Sequence, residues 1–257
     1  MYSVRKTTKW HGNTQVHVLF CVLLVTGLLV WQYGMNYLVI FGASSLLHLI
    51  IEVGLSVSGM RKGQVYVYGY KLPRAADCTL RALVEGPAYC VPAFFVADQV
   101  VAGQAGLGIG SAAVVVGAVS LYMALADRRD LRRLGPEEEP ILSRRAMTRP
   151  GAVMLLALVN TVCLAALFGM PTPYRTHAFI YVIAYSSMVM LFYFINYNLG
   201  VRMVETYDHE RGEFVRPGPL FQTAGLAYDS GYEMALLISP AYWVTFYLGL
   251  FEYGVVG

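Results

Sequence analysis

Charged side chains are scarce in this chain of 257 residues, because Asp, Glu, Lys and Arg together make up only 14% of it. Soluble domains carry about 25% charged residues, so the deficit excludes an ordinary water-soluble domain. Hydrophobic residues make up 57% of the chain and the mean hydropathy is +0.53, which indicates a polytopic membrane protein. The formal net charge is +3 and gives no reason to expect a nucleic-acid partner.

Cysteine is also rare. The four cysteines, Cys21, Cys78, Cys90 and Cys163, lie far apart in the sequence and form no Cys-x-x-Cys pair. Three of them fall inside apolar runs and Cys78 lies at the edge of one. The sequence therefore predicts neither a disulfide framework nor a zinc site, and no metal is expected.

Long apolar runs are abundant instead, and seven of them could each cross a hydrocarbon core of about 30 Å as a helix of about 20 residues. These runs are 16–35, 36–58, 78–101, 105–126, 150–170, 175–200 and 231–253. We predict an all-α fold in which residues 1–257 form a single transmembrane domain of seven helices. No small-residue cleavage site follows the first run, so it is expected to be a retained signal anchor.

The distribution of basic residues predicts the orientation of the chain in the bilayer. Seventeen of the nineteen Lys and Arg residues precede the first span or follow the second, fourth or sixth. Positive residues in short loops are retained on the cytoplasmic side. The amino terminus is therefore predicted to be cytoplasmic, and an odd number of spans then places the carboxyl terminus outside.

The second span carries a histidine and a carboxylate into the membrane. His48 and Glu52 are four residues apart, so both side chains leave the same face of a helix. Ionisable groups at membrane depth are costly and usually face a protein interior or a cavity, which makes this face the candidate site. The alternative is that both groups only form hydrogen bonds that fix helix packing.

The third span repeats this spacing with Arg81 and Glu85, which can form an ion pair that partly neutralises the carboxylate. Glu52 lies about six residues and Glu85 about seven residues from the cytoplasmic edge of its span, which is roughly 9 to 10 Å at the rise per residue of an α-helix. The two carboxylates are therefore expected at the same depth. Pro87 and Pro92 are expected to kink this helix. We assign candidate acid and base roles to Glu52, Glu85 and His48.

Polar and aromatic residues of the third, sixth and seventh spans complete the expected pocket. Pro240 predicts a kink in the seventh span near the pocket level. The candidate ligand-binding residues are Arg81, Tyr181, Tyr185, Ser186, Asn196, Ser239 and Trp243.

The order of these features resembles heliorhodopsins. The second span has a Ser-Leu-x-His-x-Ile pattern from Ser45 to Ile50, the third has an Arg followed by Val84-Glu85, and the sixth has Ile-Tyr-x-Ile-x-x-Ser from Ile180 to Ser186. The resemblance covers most of the chain in topology but only short patches in sequence. It implies that Glu85 takes the place of a retinal Schiff-base counterion and that His48 joins its polar network.

One departure from heliorhodopsins concerns the chemistry directly. A retinal Schiff base needs a lysine in the seventh helix, but the lysines of this chain are Lys6, Lys9, Lys62 and Lys71, all in predicted cytoplasmic segments. Pro240 or Trp243 falls near the place of that lysine. A covalent retinal is therefore excluded, and no cofactor is expected.

Three functions remain open at this point. The first is a binding protein that holds an apolar small molecule or lipid, such as an isoprenoid, without a covalent bond. The second is an isomerase or cyclase of a sterol- or terpene-like substrate, with Glu52 or Glu85 as acid, His48 as base and aromatic faces that stabilise a cation. The third is a proton or ion pathway, which is weakened because no continuous chain of polar groups is evident in the outer half. The expected partners are this small molecule and the bilayer, and a homo-oligomer is compatible with the sequence.

Overall fold

The computed structural model describes residues 1–8, 10–58, 65–235 and 237–251, and it is built mainly of helices. In chain order the first helices are α1 (Gly12–Tyr33), α2 (Asn36–Val57), α3 (Arg74–Glu85), α4 (Pro87–Val101) and α5 (Ala105–Arg132). They are followed by α6 (Pro150–Phe168), α7 (Thr172–Asn198), α8 (Pro219–Ala227), a π-helix (Tyr228–Ala235) and α9 (Pro240–Tyr247). Lys9, Arg61, Lys62 and the end of the seventh predicted span lie outside the described residues.

Six of the described helical segments are long and apolar enough to cross a bilayer, with α3 and α4 together forming one of them. Large apolar side chains are exposed on their outer faces, for example Phe20 at 68%, Val114 at 72% and Met154 at 73% exposure. Apolar surface of this extent is typical of a membrane or protein-contact surface. The predicted membrane character is supported by this length and composition.

The seventh predicted span differs from the expectation of a single helix over 231–253. Helical structure begins earlier, at Pro219, and passes through the π-helix before α9 resumes at Pro240. Pro240 occupies the first turn of α9, where its missing N–H costs nothing, so it starts a helix rather than kinking one. The described residues of this region form short pieces, and a seventh crossing stays a prediction.

Two small sheets accompany the helices, which the all-α prediction did not include. Strands β1 (Tyr2–Thr7), β5 (Ile141–Ala146), β6 (Arg202–Asp208) and β7 (Glu213–Val215) form a sheet in the order β5-β1-β6-β7. Its neighbours pair antiparallel, with Val4 opposite both Arg144 and Met203. The amino terminus and the segments after α5 and α7 therefore meet on one face of the bundle, as their basic residues predict.

The second sheet contains β2 (Trp10–His11), β3 (Val65–Val67) and β4 (Tyr70–Lys71). Strands β3 and β4 form a hairpin whose turn residues, Tyr68 and Gly69, have positive φ angles of 46° and 86°. The alternating tyrosines at 66, 68 and 70 predict an extended or hairpin segment here, and this prediction is confirmed.

The core of the bundle is aromatic and lies between α2, α4, α7 and α9. Its most buried side chains include Tyr37, Phe94, Tyr181 and Tyr242. The Tyr181 and Tyr242 rings lie 5.4 Å apart, and Phe94 meets Tyr37 edge to face at 5.4 Å. This packed core fills the half of the bundle away from the four-stranded sheet.

Candidate functional site

A cavity of about 290 Å³ lies between the helices on the side of the four-stranded sheet. Helices α1 to α5 and α7 form its walls, and strands β1, β5 and β6 contribute side chains at its sheet end. The volume is near the lower end of the range of about 300 to 1,000 Å³ for small-molecule sites. The cavity is the candidate functional site because it is enclosed by both ionisable and aromatic side chains.

The break between α3 and α4 positions the polar wall of this cavity. Gly86 separates the two helices and packs so tightly against α2 that an added Cβ would lie 2.6 Å from His48 Nδ1 and 2.7 Å from the Ser44 carbonyl oxygen. Pro87 follows in the first turn of α4, which suits its missing N–H. Only glycine at this position lets the His48 ring sit against the backbone between Glu85 and Pro87.

Five of the predicted site residues line the cavity together. These are His48, Glu52, Arg81, Glu85 and Tyr185. Glu52 is 2% exposed and His48 is 6% exposed, so α2 directs both into the protein as the spacing predicts. The Glu85 side chain keeps 35% exposure. The two carboxylates and the imidazole thus border one chamber.

Arg81 is held inside the wall by acids on its own helix. Its Nε donates to Asp77 Oδ1 at 2.8 Å and its Nη1 donates to Glu85 Oε1 at 3.4 Å. The side chain is only 2% exposed, so pairing is required to keep a guanidinium there. The predicted ion pair with Glu85 is confirmed, and Asp77 is a closer partner that the sequence analysis did not consider.

The other five predicted ligand-binding residues lie outside the residues that line this cavity, for identifiable reasons. Tyr181 is fully buried against Tyr242, Ser186 donates to the Ser230 carbonyl at 3.2 Å, and Asn196 donates to the Phe192 carbonyl of its own helix at 2.8 Å. Ser239 is buried where α9 begins, and Trp243 packs against the aromatic core. The faces of α7 and α9 on which they lie turn into the packed core or toward neighbouring backbone.

The sheet end of the cavity contains charged residues that sequence reasoning missed. Arg5 of β1 donates to Asp127 Oδ2 at 2.8 Å, which joins the sheet to the end of α5. Arg145 of β5 and Arg202 of β6 both pair with Asp229 of the π-helix, the latter at 2.5 Å. Asp229 is 2% exposed, so it binds two strands rather than simply complementing a helix end.

An aromatic wall forms the α4 and α7 side of the cavity. Tyr89 meets Tyr185 at 6.2 Å and Phe192 at 6.0 Å between ring centroids, both edge to face. Tyr193 continues the wall at 5.6 Å from Phe192, and the Arg202 guanidinium lies 3.8 Å from the centre of its ring. The predicted ligand-binding residues include Tyr185 but not Phe192 and Tyr193, which lie two turns further along the same face of α7.

A second polar cluster lies near the other end of the bundle. His177 Nε2 lies 2.7 Å from Asp98 Oδ1, Tyr242 Oη lies 2.8 Å from His177 Nδ1, and Tyr37 donates to Asp98. His177 and Tyr242 are fully buried. These contacts form a connected network that joins α2, α4, α7 and α9. Tyr181 lies one helical turn from His177 toward the cavity and separates the two polar regions along α7.

Chemically, the cavity lining combines carboxylates, an imidazole, arginines that are paired with carboxylates, and aromatic faces. Its apolar lining residues include Val18, Val84 and Val189, and these three are called the valine floor or apolar floor. Such a lining suits an amphipathic molecule, because few polar groups fix its orientation and apolar walls hold its body. Among the described residues no group of His, Cys, Asp and Glu is arranged to hold a metal ion. A scan of protein-family models and searches of curated proteins and solved structures give no match to this chain.

Proposed function

We propose that this chain is an integral membrane protein of heliorhodopsin-like, seven-helix architecture that holds a compact isoprenoid- or lipid-like molecule without a covalent bond. The observation that carries the proposal is the cavity beneath the sheet, with its apolar floor and the ionisable residues His48, Glu52 and Glu85 at its wall. The six long apolar helices support the membrane location. The interrupted helical region from Pro219 to Tyr247 would supply the seventh crossing, and the basic face would be cytoplasmic.

The experiment is extraction of molecules that copurify with the protein in lipid nanodiscs, measured by mass spectrometry. Val189 lines the cavity and is 3% exposed, so Val189→Phe should fill part of it and reduce the amount of bound molecule. Ile183→Phe is the matched control, because Ile183 lies on the same helix and is 64% exposed. Equal recovery of every extracted lipid or isoprenoid from wild type and Val189→Phe would refute the proposal.

A second candidate function is an isomerase or cyclase that acts on a sterol- or terpene-like substrate in the same cavity. The specific observation in its favour is that two carboxylates, an imidazole and the aromatic wall border one space. Protonation of an alkene or epoxide would need a carboxylic acid, and aromatic faces would stabilise the resulting cation. Glu52→Gln and Glu85→Gln, tested separately on extracted native ligand, should each abolish product formation while the protein stays folded; turnover retained in both would exclude this candidate.

A further inference from the structure

The four arginines that line the cavity would at first favour an anionic ligand, but each has a carboxylate partner. Asp127 accepts from Arg5, Asp77 and Glu85 accept from Arg81, and Asp229 binds both Arg145 and Arg202. Arginines that already form ion pairs would have to give up those contacts to bind a phosphate or carboxylate. At Arg81 and Arg202, whose side chains are 2% and 17% exposed, an anionic head group would therefore meet the cost of breaking ion pairs held inside the protein.

The carboxylates of the cavity wall also favour a cation over an anion. Glu52, Glu85 and Asp127 line the described part of the cavity. Carboxylates attract an ammonium group and repel an anionic head group.

Gln15 supplies an independent sign of a missing partner. It lies in the first turns of α1, lines the cavity and is 8% exposed. Its side-chain oxygen Oε1 has no hydrogen-bond partner among the residues that the structure describes. A buried acceptor left without a donor is costly, so an occupant that donates a hydrogen bond there would remove this cost.

The aromatic wall completes a site for a cation. Aromatic faces attract Arg, Lys and ligand cations within about 6 Å of the ring centroid. Tyr193 already stacks the Arg202 guanidinium, which shows that a cation is accommodated on this side of the cavity. Tyr89, Tyr185 and Phe192 border the same space on α4 and α7.

We infer that the molecule held in this cavity is an amphipathic amine, whose protonated nitrogen lies between Gln15, Glu85 and the aromatic wall while its apolar tail covers the valine floor. This inference rests on the proposed function and deepens it, since it names the head-group chemistry of the same ligand. Glu52 and Glu85 contribute negative charge, and the Gln15 oxygen accepts an N–H of the ammonium group.

The test compares geranylamine, geraniol and geranic acid, which share one isoprenoid tail and differ only in the head group. Binding is measured by displacement and thermal shift in nanodiscs of zwitterionic lipid, which removes the attraction of amines to anionic lipid. Wild type should bind the amine about tenfold more tightly than the acid, as expected for a preference on the order of 1.4 kcal/mol. Glu85→Gln and Gln15→Met should each lose most of this preference, while Glu213→Gln, at an exposed residue of β7 outside the cavity lining, should keep it.

The outcomes separate the two proposals. Tighter binding of geranic acid than of geranylamine would overturn the amine inference and leave the proposed function standing. Binding that is equal in wild type and in the cavity-filling Val189→Phe variant, for all three compounds, would overturn both. A preference for the amine that persists in both Glu85→Gln and Gln15→Met would overturn the placement of the nitrogen. Gln15→Met changes no charge, so it provides a second test if Glu85→Gln fails to fold.

Discussion

Gly86 is the residue on which the packing of the polar wall depends most directly. A methyl group at this position would meet both a side-chain nitrogen of His48 and the backbone oxygen of Ser44 at under 3 Å. The oxygen belongs to the backbone of α2 and cannot rotate away, so α2 and α4 would have to separate. We expect Gly86→Ala to destabilise the protein by about 3 kcal/mol, the upper end for overpacking, and to displace His48 from the cavity.

Thermal unfolding in nanodiscs and ligand binding measure these two effects. Gly54→Ala is the matched control, because an added Cβ at Gly54 in α2 has nothing within 4 Å and alanine favours a helix by about 1 kcal/mol over glycine. Gly54→Ala should therefore be neutral or stabilising. A Gly86→Ala protein as stable as Gly54→Ala would contradict the close approach of α2 and α4.

Asp229 is the second residue whose substitution has a clear expected result. Its carboxylate is 2% exposed and binds Arg145 of β5 and Arg202 of β6. Asp229→Asn keeps the shape but removes the charge between two guanidiniums, which should cost on the order of 3 kcal/mol and show as a lower midpoint of thermal unfolding. Asp208→Asn, whose contact with Arg211 is exposed, should change the midpoint little; equal effects of the two changes would refute the role of Asp229.

Sequence reasoning succeeded at the residue scale where spacing alone decides geometry. His48 and Glu52, like Arg81 and Glu85, share a helix face because they are one turn apart, and all four line the cavity. Asp229 could not be assigned in the same way. Its partners lie 84 and 27 residues away along the chain, and only the pairing of strands brings them together.

At the scale of secondary-structure elements, β1 links the sheet to the helices that enclose the cavity. It is flanked by β5 and β6, and its Arg5 binds Asp127 at the end of α5. Val4 in this strand is fully buried. We expect Val4→Asp to detach the sheet from the bundle, because an unpaired carboxylate at that position loses its hydration, and to open the cavity to solvent.

Hydrogen–deuterium exchange would detect this change as faster exchange in 141–146 and 202–208. Leu142→Asp is the control, since Leu142 lies in the edge strand β5 and is 40% exposed. Protection of β5 and β6 that is unchanged in Val4→Asp would show that the sheet does not depend on its central strand. The sheet itself was not predictable, because its strands are short, their pairing is non-local, and three of them lie in basic loops that favour a solvated interpretation.

At the scale of the whole molecule, the four-stranded sheet constrains the topology. It joins the amino terminus, the α5–α6 connection and the segment after α7 on one face of the bundle. If the long helices cross a bilayer, the chain must therefore cross it an even number of times between any two of these three segments. The long helices satisfy this condition, with four spans before β5 and two between β5 and β6. The sequence predicted these six spans from apolar length. It could not reveal the π-helix and the late start of α9, because a composition pattern does not specify where helical hydrogen bonding changes.

The remaining question is whether residues after Pro219 cross the bilayer once more, and accessible cysteines can answer it. With the basic face cytoplasmic, Gln104→Cys in the α4–α5 turn should react with a membrane-impermeant maleimide on intact cells, whereas Glu138→Cys should react only after lysis. A seventh crossing places Gly257→Cys outside with Gln104→Cys. Labelling of Gly257→Cys only after lysis would mean that the interrupted helices return to the basic face. Labelling of Glu138→Cys on intact cells would mean that the orientation is the reverse of the predicted one. Wild type gives the background, since three of its four cysteines are buried and Cys21 lies on the apolar outer face of a span.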